Sequence, residues 1–288
     1  MKRHKICKII FAILAVFLCV AFYELIGICI TYKKQPAVSD ATIKETQNIM
    51  SVAGRENTER AVIIEKNSQA LLERVRLIQN AKDEIILSTF AFKSDESGKL
   101  ILGALHDAAD RGVHVRILVD GMESWIDMEG NPYFYGLSSH ENVEIKLYNK
   151  ANPLKPWKTM GRMHDKYLIA DGKIYILGGR NTYNYFLGDF PGHKNFDRDV
   201  LVVCDEPQKD NSVNQLWNYF ETIWEQEDCR YFHNSKKLAD RQSVKKAVLE
   251  LQEGYQQYFE VNKEKICDTD YALSLIHISE PTRRRGIS

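Results

Sequence analysis

The stretch from His164 to Asn181, HDKYLIADGKIYILGGRN, constrains the fold of this chain more than any other. Residues 164–170 and 173–177 are β-branched, aromatic or aliphatic enough to form two strands. The dipeptide Asp171-Gly172 between them is a strong signal for a tight hairpin turn. The sequence therefore predicts an antiparallel strand pair with polar side chains at its open end.

The polar side chains of this strand pair suit chemistry on a phosphate. Strand side chains alternate between faces, so we expect the imidazole of His164 and the ammonium of Lys166 to point the same way. An imidazole that can attack or shuttle a proton then lies beside a cation that can hold the charge of the phosphate. Gly178 and Gly179 end the return strand, at a point where the backbone must come close to neighbouring groups. Asn181 follows as a neutral hydrogen-bond donor.

The same stretch resembles the HKD motif of the phospholipase D superfamily, and the likeness is closest to the bacterial cardiolipin synthase-like branch. Residues 88–121 look like the first βαβ unit of that branch, and residues 178–189, followed by FDRDVLVV at 196–203, are similar to the segment that links its motif to the next strand. A core histidine or a chance His-x-Lys would not explain all six matched positions. The matched positions are His164, Lys166, Asp171, Gly178, Gly179 and Asn181.

The resemblance implies roles for these residues. His164 either attacks phosphorus to form a phosphohistidine or protonates the leaving oxygen, and Lys166 and Asn181 bind phosphate oxygens, with the glycine pair nearby. No metal or organic cofactor is expected in such a family. Asp171 belongs to the motif and is grouped with the catalytic residues. At roughly 3.3 Å per residue it lies about 16 Å along the strand from Lys166, which predicts a turn-shaping role instead.

Two acidic residues stand at the start of the next apolar strand, Val200–Val203. In the family that this chain resembles, an acidic group here accepts a hydrogen bond from the motif histidine, which fixes the tautomer and stabilises the imidazolium. We assign this role to Asp199. Asp197 lies two positions away on the same face, so the two roles could be exchanged, and a solvated strand start is the simpler alternative.

Helical and strand patterns alternate along the rest of the chain, which predicts an α/β sandwich with a largely buried mixed β-sheet flanked by helices. Trp217, Phe220 and Trp224 are spaced as a helical core stripe, so we assign them to packing. Cys204, Cys229 and Cys267 lack metal-ligand spacing, and both a disulfide among them and buried free thiols stay open. The predicted elements include helices at 68–81, 212–226 and 244–258 and a strand at 84–87.

The N-terminus predicts a membrane anchor. Four basic residues precede an apolar run from Ile9 to Tyr23, and only Glu24 interrupts its continuation to Tyr32, which is long enough to cross the roughly 30 Å hydrocarbon core. No small-residue cleavage site follows, so an uncleaved signal anchor is preferred to a removed signal peptide. Only Lys33 and Lys34 follow the span, and this asymmetry predicts an extracytoplasmic catalytic domain at the cell membrane.

A basic, aromatic loop with Lys155, Trp157, Lys158 and Arg162 precedes the motif. It suits an anionic lipid headgroup or a nucleic-acid backbone, and an ordinary exposed loop would also explain it. The chain has 39 basic and 39 acidic residues, so no global basic field favours nucleic acid. The expected partners are the membrane and a phospholipid of the phosphatidylglycerol type.

The sequence predicts five segments along the chain. Proteins of the cardiolipin synthase type carry two HKD motifs in two similar lobes, and only one motif occurs here, so we expect a missing second lobe or a homodimeric partner. The tail resembles the translation of a sequencing adapter, and we expect it to be non-native. The segments are a transmembrane anchor (1–32), a polar stalk (33–60), the HKD lobe (61–228), a helical connection (229–272) and the tail (273–288).

Three hypotheses for the function follow. The first is a membrane-anchored phosphatidyltransferase of the cardiolipin synthase type. The second is a phospholipase D-like phosphodiesterase or nuclease. The third is an inactive fragment that retains only the fold.

Overall fold

The computed structural model describes residues 2–33, 39–41, 44, 59–150, 152, 154–204, 206 and 211–271. The chain divides into two compact units, one comprising Met1–Asn57 with Ala151–Gly161 and the other comprising Thr58–Lys150 with Arg162–Ser288. Most of the predicted stalk and the whole predicted non-native tail lie outside the described residues.

The first unit contains one long helix, α1 (Lys2–Lys33), and a short 3-10 helix at Pro156–Met160. Within α1, His4–Ile30 is long and apolar enough to cross a membrane, with a mean hydropathy of 2.7 and none of its most apolar stretch buried. A signal sequence would satisfy the same criteria of length and composition, so the helix is a candidate span.

The described residues of the second unit form one mixed sheet of eight strands in the order β1-β7-β6-β5-β2-β3-β4-β8. The β2–β3 and β3–β4 pairs are parallel, and the other pairs are antiparallel. The strands are β1 (Glu59–Ile64), β2 (Glu84–Thr89), β3 (His114–Asp120), β4 (Val143–Tyr148), β5 (Lys166–Ala170), β6 (Ile174–Gly178), β7 (Asp199–Cys204) and β8 (Cys229–Tyr231). The predicted mixed sheet is therefore confirmed.

Helices cover both faces of this sheet. One buried apolar cluster joins the sheet to the helices α2, α3, α5 and α8, and a second cluster joins the opposite face to α6. The helices are α2 (Asn67–Asn80), α3 (Glu96–Asp110), α4 (Gly121–Asp127), α5 (Pro132–Ser138), α6 (Ser212–Trp224), α7 (Lys236–Ala239) and α8 (Gln242–Cys267). Burial of two apolar faces by separate helix layers is the arrangement that an α/β sandwich requires.

The predicted helices agree with these bounds except at the C-terminal end, where α8 continues to Cys267, well beyond the predicted residue 258. Phe220 and Trp224 are buried and Trp217 packs beside them, so their assignment to packing is confirmed. Cys204 and Cys229 are buried free thiols and Cys267 is an exposed one.

Candidate active site

The predicted hairpin joins β5 to β6, with Tyr167 opposite Leu177 and Ala170 opposite Ile174. Asp171 and Gly172 form its turn with φ values of 52° and 60°, a conformation that Asp and Gly tolerate better than most residues. This turn lies at the end of β5 remote from His164. The hairpin therefore separates the motif into a turn end and an end that carries the polar side chains.

Asp171 ties the turn end of the hairpin to the start of β2. Its carboxylate accepts hydrogen bonds from the backbone N–H groups of Lys82, Asp83 and Glu84 at 2.8 to 3.2 Å. These three bonds occupy the carboxylate at the opposite end of β5 from Lys166. The geometry favours the turn-shaping interpretation of Asp171 over a catalytic one.

His164 and Lys166 lie at the other end of the hairpin. His164 is exposed and lies just before β5, which begins at Lys166 instead of at the predicted residue 164. The Lys166 ammonium donates a hydrogen bond to the His164 carbonyl at 2.9 Å. Both side chains contact Phe90, whose ring centroid lies 4.5 Å from that of His164 and 5.3 Å from Lys166 Nζ. The two motif side chains are therefore brought together around one aromatic ring.

Lys166 is a buried cation. Its exposed fraction is only 6%, and desolvation lowers the pKa of its ammonium, while the nearby carboxylates of Asp165 and Asp197 act in the opposite direction. A desolvated ammonium at the base of an exposed histidine gains much from an incoming anion, because the charge then acquires a partner. The site is thus arranged to attract a negatively charged group.

Asp199 does not lie where the sequence prediction required. Its Oδ2 atom pairs with Arg74 Nη1 at 2.9 Å and with Arg180 Nη1 at 3.3 Å, and all three side chains are almost fully buried. Its Oδ1 atom is buried against Gly178 and has no hydrogen-bond partner among the described residues. Within the described part of the chain, His164 makes no hydrogen bond to Asp199. The two arginines hold Asp199 in a buried ion-pair cluster, and that geometry favours a structural role.

Asp197 is one of two acids near the Lys166 ammonium, the other being Asp165. Asp197 is half-buried, and both carboxylates act on the pKa of that ammonium. A Cβ atom on Gly179 would lie 2.0 Å from Asp197 Oδ2, so a larger residue here would have to displace the Asp197 side chain. Asp199 is enclosed by the two buried arginines, whereas a role of Asp197 toward His164 stays a prediction.

The glycine pair makes room for carboxylates. A Cβ atom on Gly178 would lie 2.0 Å from Asp199 Oδ1, just as the one on Gly179 would meet Asp197. The expected close approach at the end of β6 is present, and acidic side chains of the neighbouring segment occupy it. A direct phosphate-binding role for the two glycines has no support in this geometry.

Asn181 is buried with one half of its amide engaged. Its Oδ1 atom accepts a hydrogen bond from the Ala91 N–H at 3.2 Å. The Nδ2 group has no recorded protein partner among the described residues, so it can donate to a ligand. Asn181 therefore retains the donor that the sequence assigned to a phosphate oxygen.

Sequence reasoning missed three groups near the site: Phe90, the buried Arg74–Arg180 pair, and the partners of Arg162. Arg162 was assigned to a basic loop that recruits an anionic headgroup. It pairs instead with Asp120 at 2.8 Å and Glu123 at 2.9 Å, so its charge is already neutralised. Of these missed residues, Arg180 is the one that the sequence could have indicated, because it directly precedes the motif residue Asn181.

The family profile described as "Cardiolipin synthase, PLD-like domain" matches residues 75–224, about half of the chain. The chain belongs to the cardiolipin synthase-like branch of the phospholipase D superfamily. The match includes β2 to β7 and every site residue above except Arg74. It confirms the family and the fold class that the motif predicted.

Individual proteins are similar to parts of this chain. An uncharacterized protein of Helicobacter pylori is 33% identical over 181 residues, 58% of this chain and 35% of the relative. Cardiolipin synthase C of Escherichia coli is 29% identical over 154 residues, 49% of this chain and 31% of the relative. The crystal structure of Nuc from Salmonella typhimurium, a phospholipase D family member, covers 62% of this chain and 98% of that chain, with 17% identity and a TM-score of 0.44.

The chain spans about a third of the length of the curated relatives it matches first. The activities of those whole proteins are therefore considered for this chain only as a proposal.

Proposed function

We propose that this protein is a membrane-anchored phosphatidyltransferase of the cardiolipin synthase type. The observation that carries the proposal is the exposed His164 imidazole above the buried, desolvated Lys166 ammonium, with a free Asn181 amide donor on the neighbouring segment. Substitution at phosphorus needs a nucleophile or an acid, here His164, beside donors that bind the phosphate oxygens, here Lys166 and Asn181. The membrane-spanning composition of α1 supports a lipid as the substrate.

The reaction proceeds in two substitutions. In the first, a nitrogen of one histidine bonds to the phosphorus of phosphatidylglycerol, and the bond from phosphorus to the oxygen of the headgroup glycerol breaks. The second histidine protonates that oxygen, and glycerol leaves. In the second, the glycerol hydroxyl of another phosphatidylglycerol gives its proton to the second histidine and attacks phosphorus, and the phosphorus–nitrogen bond breaks. His164 fills one of the two histidine roles.

The chain's own polar residues support these steps. Lys166 and Asn181 bind the non-bridging phosphate oxygens, so negative charge is stabilised where it develops. We assign to Asp197 the role of the acid that acts on the motif histidine, because Arg74 and Arg180 enclose Asp199. The Asp197 carboxylate also acts on the neighbouring Lys166 ammonium, so it lies near the motif side chains.

A second lobe, from the full-length chain or from a homodimer partner, supplies the other histidine. The second unit exposes Trp125, Ile126 and Phe196 with exposed fractions of 60%, 66% and 81%. Trp125 and Ile126 follow Glu123, which binds Arg162, and Phe196 precedes Asp197, so these apolar side chains flank the segments that build the site. A partner lobe would cover such a surface.

The predicted anchor has its own test. The full chain expressed in a bacterium should stay in the membrane pellet after high-salt and alkaline washing, because a spanning helix is not held by screened charge. External protease should reach the lobe if the N-terminus is cytoplasmic. Recovery of a shortened, soluble form would show a cleaved signal peptide instead.

The activity is tested by product analysis of His164→Ala in the full-length protein. We expect conversion of phosphatidylglycerol to cardiolipin in the parent protein and loss of turnover in the variant, with the folded state retained because His164 is exposed. His114→Ala is the matched control, since His114 is a half-exposed imidazole at the opposite end of the sheet that forms surface pairs with Glu84 and Glu144.

The products also separate the alternatives. Phosphatidic acid in place of cardiolipin would indicate a phospholipase, and cleavage of nucleic acid without lipid turnover would indicate a nuclease. Full lipid turnover by a folded His164→Ala protein would refute the site. The present chain without a partner lobe should be nearly inactive, because one histidine cannot serve both sides of the phosphorus.

A further inference from the structure

The ring of Phe90 lies among three functional side chains of the site. It packs edge-on against the His164 imidazole, with a centroid distance of 4.5 Å and an interplanar angle of 62°. The Arg162 guanidinium lies 4.9 Å and the Lys166 ammonium 5.3 Å from the centroid of the same ring. Phe90 immediately follows β2, where Thr89 is paired with Lys166, so the sheet register itself places the ring here.

The segment that carries His164 is fixed from a second direction by Asp120. This buried carboxylate accepts hydrogen bonds from Arg162 Nε at 2.9 Å and from the Met163 N–H at 3.1 Å. It also caps α4 by accepting from the N–H groups of Met122 and Glu123. The end of β3 therefore holds the two residues that directly precede His164.

Arg162 connects these two contacts. Its guanidinium forms ion pairs with Asp120 and Glu123 while its carbon centre lies over the Phe90 ring. Hydrogen bonding to Asp120 raises the pKa of Arg162, and the two carboxylates neutralise its charge. Arg162 is thus arranged to hold Phe90 in place, and a bound phosphate would have to compete with two carboxylates for it.

The His164 ring itself has no hydrogen-bond partner among the described residues, and its recorded ring contact is Phe90. The orientation of an exposed imidazole that lacks a hydrogen bond depends on what packs against it. An edge-to-face aromatic contact is directional, so it favours one ring orientation over the alternatives.

We propose that Phe90, held by the Asp120–Arg162 pair, is the positioning residue that orients the His164 imidazole toward the phosphorus. The proposal rests on the function proposed above and adds a residue outside the HKD motif to its machinery. A misplaced nucleophile or acid loses rate without losing substrate affinity, because the phosphate is bound by other groups. The expected signature is therefore a loss in kcat with KM preserved.

The first test follows the His164 ring by NMR in the full chain, with labelled histidine and His164→Ala to assign the signals. In Phe90→Leu the ring current is removed, so the His164 ring protons should move toward their positions in the unfolded protein. Phe90→Tyr keeps the ring and should leave them near the parent values. Phe259→Leu, the same change at a partly buried phenylalanine on α8, is the control and should leave them unchanged.

The second test measures kinetics in the full-length protein with its second lobe. Phe90→Leu should lower kcat by about ten- to a hundredfold and leave KM within about twofold, as expected for a small displacement of a reacting group. Phe90→Tyr should recover most of kcat, and Arg162→Met should reproduce part of the loss that Arg162→Lys avoids. Phe259→Leu should keep the parent kcat.

Each failure has a distinct meaning. Unchanged His164 resonances in folded Phe90→Leu would refute the contact, and parent-like kcat in spite of shifted resonances would refute the positioning role. A rise in KM at constant kcat would show that Phe90 binds substrate instead. Absence of lipid turnover in the parent protein would count against the proposed function, and the resonances would still decide whether Phe90 orients the ring.

Discussion

Replacing Asp199 with Ala should destabilise the second unit far more than replacing Asp197, although the two acids lie only two residues apart. Asp199 neutralises two arginines whose side chains have exposed fractions of 5% and 0%. Removal of one member of a buried ion pair leaves an uncompensated charge and costs about 3–5 kcal/mol.

After Asp199→Ala, both arginines would keep other hydrogen bonds, so the expected loss of unfolding free energy lies at the lower end of that range. Arg180 keeps hydrogen bonds to the carbonyls of Ile64 and Glu65 and to the Asn67 amide oxygen, and Arg74 keeps one to the Ala70 carbonyl. These neutral acceptors still satisfy several donors after the carboxylate is gone. We therefore expect Asp199→Ala to lower the free energy of unfolding by about 3 kcal/mol.

Urea unfolding of the full chain in a mild detergent provides the assay, followed by tryptophan fluorescence, to which the buried Trp224 contributes. Asp197→Ala is the matched comparison, because Asp197 is half-buried and forms no recorded ion pair in the described part of the chain. Its unfolding free energy should change by less than about 1 kcal/mol. Its turnover in the full-length protein should nevertheless fall sharply.

The opposite pattern would refute this reasoning. If Asp199→Ala unfolded at the parent urea concentration yet lost turnover, Asp199 and not Asp197 would act on the catalytic histidine. Equal stability losses in both variants would show that the two acids share one cluster.

Further predictions concern the hairpin. Asp171→Ala should lower the free energy of unfolding by about 1–3 kcal/mol, because three backbone N–H groups lose their acceptor, and kcat should stay near the parent value. Gly178→Ala should lower the free energy of unfolding by about 1–3 kcal/mol in urea titrations, because its Cβ atom would meet the buried Asp199 carboxylate and the Arg198 carbonyl. Gly179→Ala should displace the more exposed Asp197 side chain and mainly reduce turnover in product assays. Lys166→Met should lose about a hundred- to a thousandfold in kcat. Burial lowers the Lys166 pKa, so below that pKa the folded state carries the cost of a buried ammonium. The parent protein should therefore gain stability as the pH rises toward 10.5, the ordinary pKa of lysine. Urea titrations across that pH range should show the gain in the parent protein and not in Lys166→Met.

Much of the fold was predictable because its signals are local. The β5–β6 hairpin follows from two apolar runs around Asp171-Gly172, and the helix bounds follow from apolar spacing within each segment. The extension of α8 to Cys267 was missed because its last turns bury only Ile266, so little apolar periodicity marks them. The shift of the β5 start to Lys166 was also missed, since no local pattern separates a strand from the extended segment leading into it.

The sequence by itself determined the chemistry that the hairpin can offer. His164, Lys166 and Asn181 stand at spacings from which a strand, a turn and a return strand predict one cluster, and the short reach of a strand was enough to assign Asp171 to the turn. These conclusions needed only the geometry of neighbouring residues.

The tertiary structure alone decided which charges meet. Asp197 and Asp199 share one face of an extended segment, so local periodicity treats them alike, but Arg74 lies 125 residues from Asp199 in sequence and reaches it only through the packing of α2 on the sheet. Phe90 reaches His164 in the same way, through the pairing of β2 with β5. A carboxylate enclosed by two cations becomes structural and its neighbour remains available to the site, because burial and pairing depend on segments that are distant along the chain.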